Sequence, residues 1–261
     1  MSSGCAPFPW QGLFFLPALP YHSIYFGRAL LGNDGQERPM ETRPVFHKNL
    51  RDLQDEVLGM GNMVAQAIDL SIVALKNRDL AIARQIIADD AKINQKRFEI
   101  EEKCIRLIAT QQPMAGDLRV IVAVLSIITE LERMGDHAEG IAKITIMIGD
   151  EPPLKPLIDI PRMAQKSIEM LHLSLRSFVD RDAELARKVS REDDEVDGLY
   201  DQVFAELIVF MMQDPKTITR ATRLMWVAHN LERIADRVTN ICERVTFLVT
   251  GKMEEIGASK Y

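Results

Sequence analysis

Residues 131–136 read Leu-Glu-Arg-Met-Gly-Asp, and residues 231–236 repeat the pattern, 100 positions later, as Leu-Glu-Arg-Ile-Ala-Asp. A second match lies upstream of each copy: residues 78–84 (Arg-Asp-Leu-Ala-Ile-Ala-Arg) correspond to residues 181–187 (Arg-Asp-Ala-Glu-Leu-Ala-Arg) at an offset of 103. A small change of length between the two matches reconciles the offsets. Duplication and fusion of one segment explains both matches, so we expect two similar units related by an approximate two-fold axis.

Hydrophobic residues recur with helical periodicity over almost all of the chain from Phe46 onward, and runs of strand-like alternation are missing. Prolines and turn residues mark the breaks, the strongest being the proline-rich linker 149–156. The sequence therefore predicts an all-α fold of two tandem three-helix bundles, residues 44–150 and 151–252, followed by a tail, 253–261. The predicted helices are roughly 46–77, 80–110, 113–148, 158–179, 183–212 and 215–250.

Residues 1–43 differ in kind from the rest of the chain. They contain five prolines before Met40, many of the aromatic residues, and neither helical nor strand periodicity. A basic region typical of a signal peptide is missing. We expect a disordered or mis-assigned N-terminal extension with the native start at Met40, and a targeting or docking tail is the alternative.

Composition excludes several classes of protein. The 261-residue chain carries a formal net charge of −6, which disfavours binding to nucleic acid or anionic lipid. Its three cysteines form no CxxC pair, so we expect reduced thiols in the cytoplasm and neither a disulfide framework nor a structural zinc site. No uninterrupted run of 18 apolar residues occurs, and we expect no membrane-spanning helix.

A helical wheel of the third predicted helix separates a core face from an acidic one. Glu132, Asp136 and Glu139 fall between about 80° and 140° from Leu131 and form one acidic stripe. Glu232 and Asp236, together with Glu243, form the equivalent stripe of the sixth helix. The predicted core seam of the third helix consists of Val124, Ile127, Leu131, Gly135, Ala138, Ala142 and Thr145.

The acidic pairs at i, i+4 spacing suggest a cation site. Like charges at this spacing destabilise a helix by about 0.2–0.5 kcal/mol per pair, and carboxylates are good ligands for hard or borderline cations. Further oxygens could come from the second and fifth helices, through Asp90 and Asn94 in one half and Asp193 and Asp197 in the other. Alternatively, the stripes are solvated faces neutralised by three arginines, Arg133, Arg233 and Arg237.

The repeated Leu-Glu-Arg-x-x-Asp pattern resembles the PhoU family, and so do residues 112–119 (Gln-Pro-Met-Ala-Gly-Asp-Leu-Arg); the likeness covers about residues 46–250. It implies two three-helix bundles, frequent homodimerisation, and multinuclear metal sites on the bundle surface. Iron, zinc, manganese and magnesium all suit such ligands. The implied metal ligands are Glu132, Asp136, Glu232 and Asp236, with Asp90, Asp193 and Asp197 as further oxygen donors.

The two predicted metal sites are not equivalent. Asn94 stands where the second half has Asp197, and Lys143 stands where it has Glu243. Both differences remove negative charge from the first half. We therefore expect the first site to be the weaker one.

The resemblance implies a non-enzymatic negative regulator of phosphate uptake and phosphate-starvation signalling. The implied partners are the ATPase of the phosphate ABC transporter and a phosphate-sensing histidine kinase, which would hold a cytoplasmic protein peripherally at the membrane. One rival is a metal-binding helical protein with an oxidase or metal-storage role. A di-metal oxidase needs two Glu-x-x-His motifs, and the chain has only Glu169 to His172. A second rival is a scaffold that binds no metal.

Overall fold

Seven α-helices account for nearly all of residues 43–254, the part of the chain that the computed structural model describes. The helices are α1 (Pro44–Asn77), α2 (Leu80–Gln111), α3 (Ala115–Ile148), α4 (Asp159–Asp180), α5 (Ala183–Arg191), α6 (Asp193–Gln213) and α7 (Ile218–Thr250). A 3-10 turn, Pro215–Thr217, leads into α7, and no strand occurs in the described residues. The predicted all-α fold is confirmed. The predictions about the N-terminal extension and the start at Met40 lie outside the described residues.

In each copy of the repeated Arg-Asp pair, the arginine ends one helix and the aspartate caps the start of the next. Arg78 and Arg181 end α1 and α4 in the left-handed region, with φ of 56° and 53°. The next residues, Asp79 and Asp182, cap α2 and α5, and each Oδ1 atom accepts hydrogen bonds of 2.9–3.0 Å from the backbone N–H groups two and three residues later. The first sequence match therefore repeats a helix–helix corner.

Two bundles share one continuous core. Helices α1, α2 and α3 pack together, α4 packs with α5, α6 and α7, and α3 also packs along α7. Leu131 and Leu231 lie at the seams of α3 and α7 and are fully buried. Every residue of the predicted α3 seam is buried, so the phase of the helical wheel is correct.

The predicted helix 183–212 is wrong in one respect, because it is two helices in the structure. Glu192 separates α5 from α6, and the backbone there tightens into bonds that span three residues, Glu192 N–H to Val189 O at 3.0 Å and Glu195 N–H to Glu192 O at 3.2 Å. Lys166 of α4 holds this turn with ion pairs of 2.9 Å to Glu192 and 3.0 Å to Glu195. A cation from another helix thus pairs with an acidic residue at the break and another just after it.

The antiparallel contact between α3 and α7 displays the approximate two-fold axis. Glu130 of α3 accepts a 3.1 Å hydrogen bond from Nδ2 of Asn240 and lies 3.5 Å from Nη1 of Arg237 on α7. Nδ1 of His137 on α3 lies 3.0 Å from Oδ1 of Asn230 on α7. The 100-residue offset of the repeat maps Glu130 onto Asn230 and His137 onto Arg237. The two polar contacts are therefore copies of each other across the axis.

Gly61 sets the distance between α1 and α4. A Cβ atom added at Gly61 would overlap Cδ1 of Leu175, so the side chain of Leu175 occupies the space that the glycine leaves. The 103-residue offset maps Gly61 onto Ala164, which is also small and buried. Small residues thus lie at equivalent positions of the two helices.

Helix α1 is, among the described residues, the one helix long and apolar enough to cross a membrane by length and composition. The criterion applied to the sequence, an uninterrupted run of 18 apolar residues, is stricter, and α1 does not meet it. Half of the apolar window is buried inside the bundle, and core helices pass the same test. The match is therefore weak evidence for a membrane span.

The two cysteines within the described residues are inert structural thiols, as expected. Cys104 and Cys242 are both buried and unpaired. Burial raises the pKa of each thiol to about 12, which keeps both protonated at neutral pH.

We predict that Leu131→Ala and Leu231→Ala each lower the free energy of unfolding by about 2–5 kcal/mol, because each opens a cavity in a fully buried seam. Urea denaturation monitored by circular dichroism measures the loss. Leu118→Ala, in an exposed part of α3, is the control and should cost less than about 1 kcal/mol. Losses below about 1 kcal/mol at both seam positions would contradict the packing described here.

Candidate functional site

Each acidic stripe faces a further acidic side chain from the neighbouring helix. In the first half, Asp90 of α2 faces the α3 stripe. Burial raises the pKa of Asp90, and the nearby charges of Asp136, Glu139 and Glu132 raise it further. The structure thus places Asp90 beside the α3 stripe, near Gly135.

The second half concentrates more negative charge. The pKa of Asp193, on α6, is raised to about 7 by burial and then by the charges of Asp197, Asp236 and Glu232. Burial is also the main cause of the raised pKa values of Asp197 and Asp236. The Oδ1 atom of Asp193 is buried and has no hydrogen-bond partner among the described residues. This carboxylate, which faces the second stripe, is therefore poorly compensated.

Cations and an amide balance the first stripe. Nη1 of Arg97 lies 3.3 Å from Oε1 of Glu132, and Nζ of Lys143 lies 2.5 Å from Oε2 of Glu139. Asn94 donates a 2.8 Å hydrogen bond to Oδ2 of Asp90. The two residues that lower the charge of this half, Asn94 and Lys143, are thus both engaged with the acidic set.

One arginine spans the second stripe. Arg233 donates from Nε to Oε2 of Glu232 at 2.6 Å, and its Nη1 lies 2.9 Å from Oδ2 of Asp236. Of the three arginines proposed to neutralise the stripes, Arg233 forms ion pairs with the second stripe, and the charge of Arg237 also lowers the pKa of Asp236. Arg133 and Arg237 lie 3.5 Å from the two carboxylate oxygens of Glu130.

Sequence reasoning missed Arg97 as a partner of the first stripe. Arg97 lies seven residues, or two helical turns, after Asp90 on α2, and therefore on the same side of that helix. The position of Arg97 near the first stripe could have been predicted from this spacing.

Glu243, which the sequence pattern placed in the second stripe, lines a cleft with Arg244, Met253 and Glu254.

The oxygen atoms that the second half offers as ligands suit a hard or borderline cation. Its residues offer carboxylate oxygens only, and the unpartnered oxygen of Asp193 is a ready acceptor. Across residues 43–254, however, no three His, Cys, Asp or Glu side chains converge as a formed metal site. Arg233 holds both Glu232 and Asp236, and its side chain is 35% exposed, so it has room to turn towards solvent. A bound cation would have to displace this guanidinium.

Comparison with known proteins gives consistent matches. The sequence profile of the PhoU domain matches residues 57–145 and 160–245. A phosphate-specific transport system accessory protein PhoU homolog from Aquifex aeolicus is 42% identical over 186 residues, covering 71% of this chain and 84% of the relative. The phosphate-specific transport system accessory protein PhoU of Escherichia coli is 34% identical over 207 residues, covering 79% and 86%.

Solved structures show the same similarity. The crystal structure of the phosphate transport system regulatory protein PhoU from Streptococcus pneumoniae superimposes with a TM-score of 0.75 at 33% identity, covering 80% of this chain and 99% of that chain. The crystal structure of PhoU from Pseudomonas aeruginosa also gives a TM-score of 0.75, at 34% identity, covering 79% and 100%.

We predict that Asp193→Asn stabilises the chelator-treated protein increasingly as the pH rises from 4 to 8. The folded protein keeps Asp193 protonated between the ordinary pKa of 3.8 and about 7, whereas the unfolded chain does not, so this group lowers stability as the pH rises through that window. Asparagine mimics the protonated form. The gain at pH 8 should be about 1–3 kcal/mol by urea denaturation, and near zero at pH 4.

Glu169→Gln, at an exposed glutamate of α4, is the control and should follow the wild-type pH profile. If Asp193→Asn also runs parallel to wild type, the charge crowding described for the second stripe is wrong.

Proposed function

Since this chain belongs to the PhoU family, we propose that it is an accessory regulator of phosphate transport that restrains uptake and phosphate-starvation signalling through protein contacts. The observation that carries the proposal is the agreement in both sequence and fold with proteins named for the phosphate transport system, over about four-fifths of the chain. We propose the ATPase of the phosphate ABC transporter and a phosphate-sensing histidine kinase as partners. Contact with them would hold a cytoplasmic protein, as a homodimer, peripherally at the membrane.

A packed helical body is suited to regulation by contact. The shared core fixes the two bundles relative to each other, so two surfaces on the body are held at a fixed distance. Such a protein changes a partner's activity only if it binds one functional state of that partner better than another. About 1.4 kcal/mol of differential binding shifts a balanced equilibrium tenfold, and interfaces of standard size can supply that.

We further propose that the second acidic set binds a metal, as a multinuclear site of iron, zinc, manganese or magnesium. Glu232, Asp236, Asp193 and Asp197 would supply oxygen ligands, and the bound cation would relieve the charge crowding that raises the pKa of Asp193. The first set, Glu132, Asp136 and Asp90, would bind more weakly, because Asn94 stands where the second set has the carboxylate of Asp197, and Lys143 brings a positive charge to the neighbouring Glu139.

Deletion of the gene should raise phosphate accumulation in phosphate-rich medium and leave phosphate-starvation genes switched on, because the restraint on the transporter is lost. Phosphate uptake assays and a starvation-gene reporter measure the two effects. Deleting the transporter ATPase as well should suppress the excess accumulation, and a plasmid copy of the gene should restore repression. Unchanged uptake and unchanged reporter expression in the single mutant would contradict the proposal.

The double substitution Glu232→Ala/Asp236→Ala should remove most of the metal, whereas the matched Glu132→Ala/Asp136→Ala should remove less. The expected difference follows from the stronger negative charge of the second set. Elemental analysis of protein purified without chelator measures the metal content per chain. Full metal content in the second-half variant would refute the site, and a metal-free wild type would favour a scaffold without metal.

A further inference from the structure

The second bundle exposes a group of aromatic side chains on α6 and α7. We call Tyr200, Phe204, Trp226 and His229 the aromatic face. Phe204 and Trp226 are 42% and 51% exposed. The Tyr200 ring lies 6.2 Å from that of Phe204 and 6.3 Å from that of His229, measured between centroids. Trp226 lies one turn before His229 on the same helix. Exposed tryptophan and phenylalanine side chains on two helices that pack together are typical of a surface that another molecule covers.

Aliphatic side chains extend the aromatic face along α6. Ile208 and Met212 follow Phe204 at intervals of four residues, so the three side chains lie in one row on the helix. All three are exposed, and Met212 is 80% exposed. The start of α7 adds the exposed Ile218. The apolar surface is therefore elongated along the helix axis, as a helical partner requires.

The first bundle serves as an internal comparison. At the offset of 100, Trp226 corresponds to Ser126 and His229 to Thr129, and at the offset of 103, Phe204 corresponds to Glu101. Both bundles fold around equivalent cores, so the fold does not require aromatic residues at these positions. The aromatic face belongs to the second half alone.

The charge of α6 shows which partner this surface fits. Asp193–Gln213 contains six acidic residues and no lysine or arginine, whereas the corresponding residues 90–110 of α2 contain five basic and four acidic residues. Five of the six acidic residues precede Tyr200 or follow it directly, in the N-terminal half of α6. The surface is thus acidic at one end and apolar at the other.

A second copy of this chain fits the surface poorly. Pairing two copies of α6 in parallel would oppose their acidic halves, and pairing them antiparallel would bury each acidic half against an apolar one. A helix with an apolar stripe and lysine or arginine at one end satisfies both halves at once.

We propose that the aromatic face and the acidic half of α6 together bind a basic amphipathic helix of a partner protein. The apolar stripe of the partner would lie on Phe204, Trp226 and Ile208, and its basic end would reach the exposed Asp201, outside the proposed metal ligands. The proposal goes beyond the proposed function, since it specifies the chemistry of a partner and holds whether or not that partner acts in phosphate transport.

Trp226 provides the test, because Trp10 is the only other tryptophan in the chain. In full-length protein carrying Trp10→Phe, with chelator present, we expect a tryptophan-free helical peptide of roughly 18 residues, built from leucine and lysine with one apolar face, to shift Trp226 emission to shorter wavelength and to saturate. Phe204→Ala should weaken peptide binding by at least about tenfold. Asp201→Asn should weaken it and reduce its dependence on salt.

Ile105→Ala is the matched control, at the exposed first-half position that corresponds to Ile208, and it should change binding by less than about twofold. Circular dichroism establishes that each variant is folded. The proposal is overturned if Trp226 emission does not shift, if Ile105→Ala weakens binding as much as Phe204→Ala, or if a peptide with glutamate in place of lysine binds equally well. It is also overturned if Phe204→Ala dissociates a dimer of the free protein in sedimentation, since the surface then takes a second copy.

Discussion

The antiparallel packing of α3 on α7 is the constraint on which the rest of the structure depends. Each helix buries one side in its own bundle and a second side against the other helix, where Glu130 meets Arg237 and His137 meets Asn230. Only a third side remains for polar side chains, and the acidic stripes occupy it. Because the contact repeats across the two-fold axis, the packing that joins the bundles also places both stripes at equivalent positions.

The sequence predicts what local periodicity and capping determine. The seam around Leu131 follows from a 3.6-residue period, and the corners at Asp79 and Asp182 follow from cap residues, so these features needed no knowledge of tertiary contacts. The break at Glu192 was missed because Lys166, from another helix, holds it. The pairing of Arg97 with Glu132 was missed for the same reason, since it joins residues 35 positions apart on two helices.

Duplication gave the chain two copies of one site, and their physical chemistry has since diverged. In the first half, Arg97, Lys143 and Asn94 compensate the carboxylates. In the second half, Asp193 is left with a buried, unpartnered oxygen, and the same helix carries exposed aromatic residues. Arg233 compensates Glu232 and Asp236 of the second stripe, but the buried carboxylate of Asp193 beside them keeps a charge repulsion that a bound cation or a basic partner can relieve. We therefore propose that the functional surface of the molecule lies on the second half.

A reporter of phosphate-starvation genes, read in a strain lacking the chromosomal gene, tests this placement most directly. One plasmid variant gives the second half its first-half residues (Asp197→Asn, Phe204→Glu, Trp226→Ser), and the other makes the converse changes in the first half (Asn94→Asp, Glu101→Phe, Ser126→Trp). If the second half carries the function, the first variant should leave the reporter on in phosphate-rich medium, and the second should restore repression as the wild type does. Equal repression by both variants, with both shown to be folded, would contradict the placement of the functional surface on the second half.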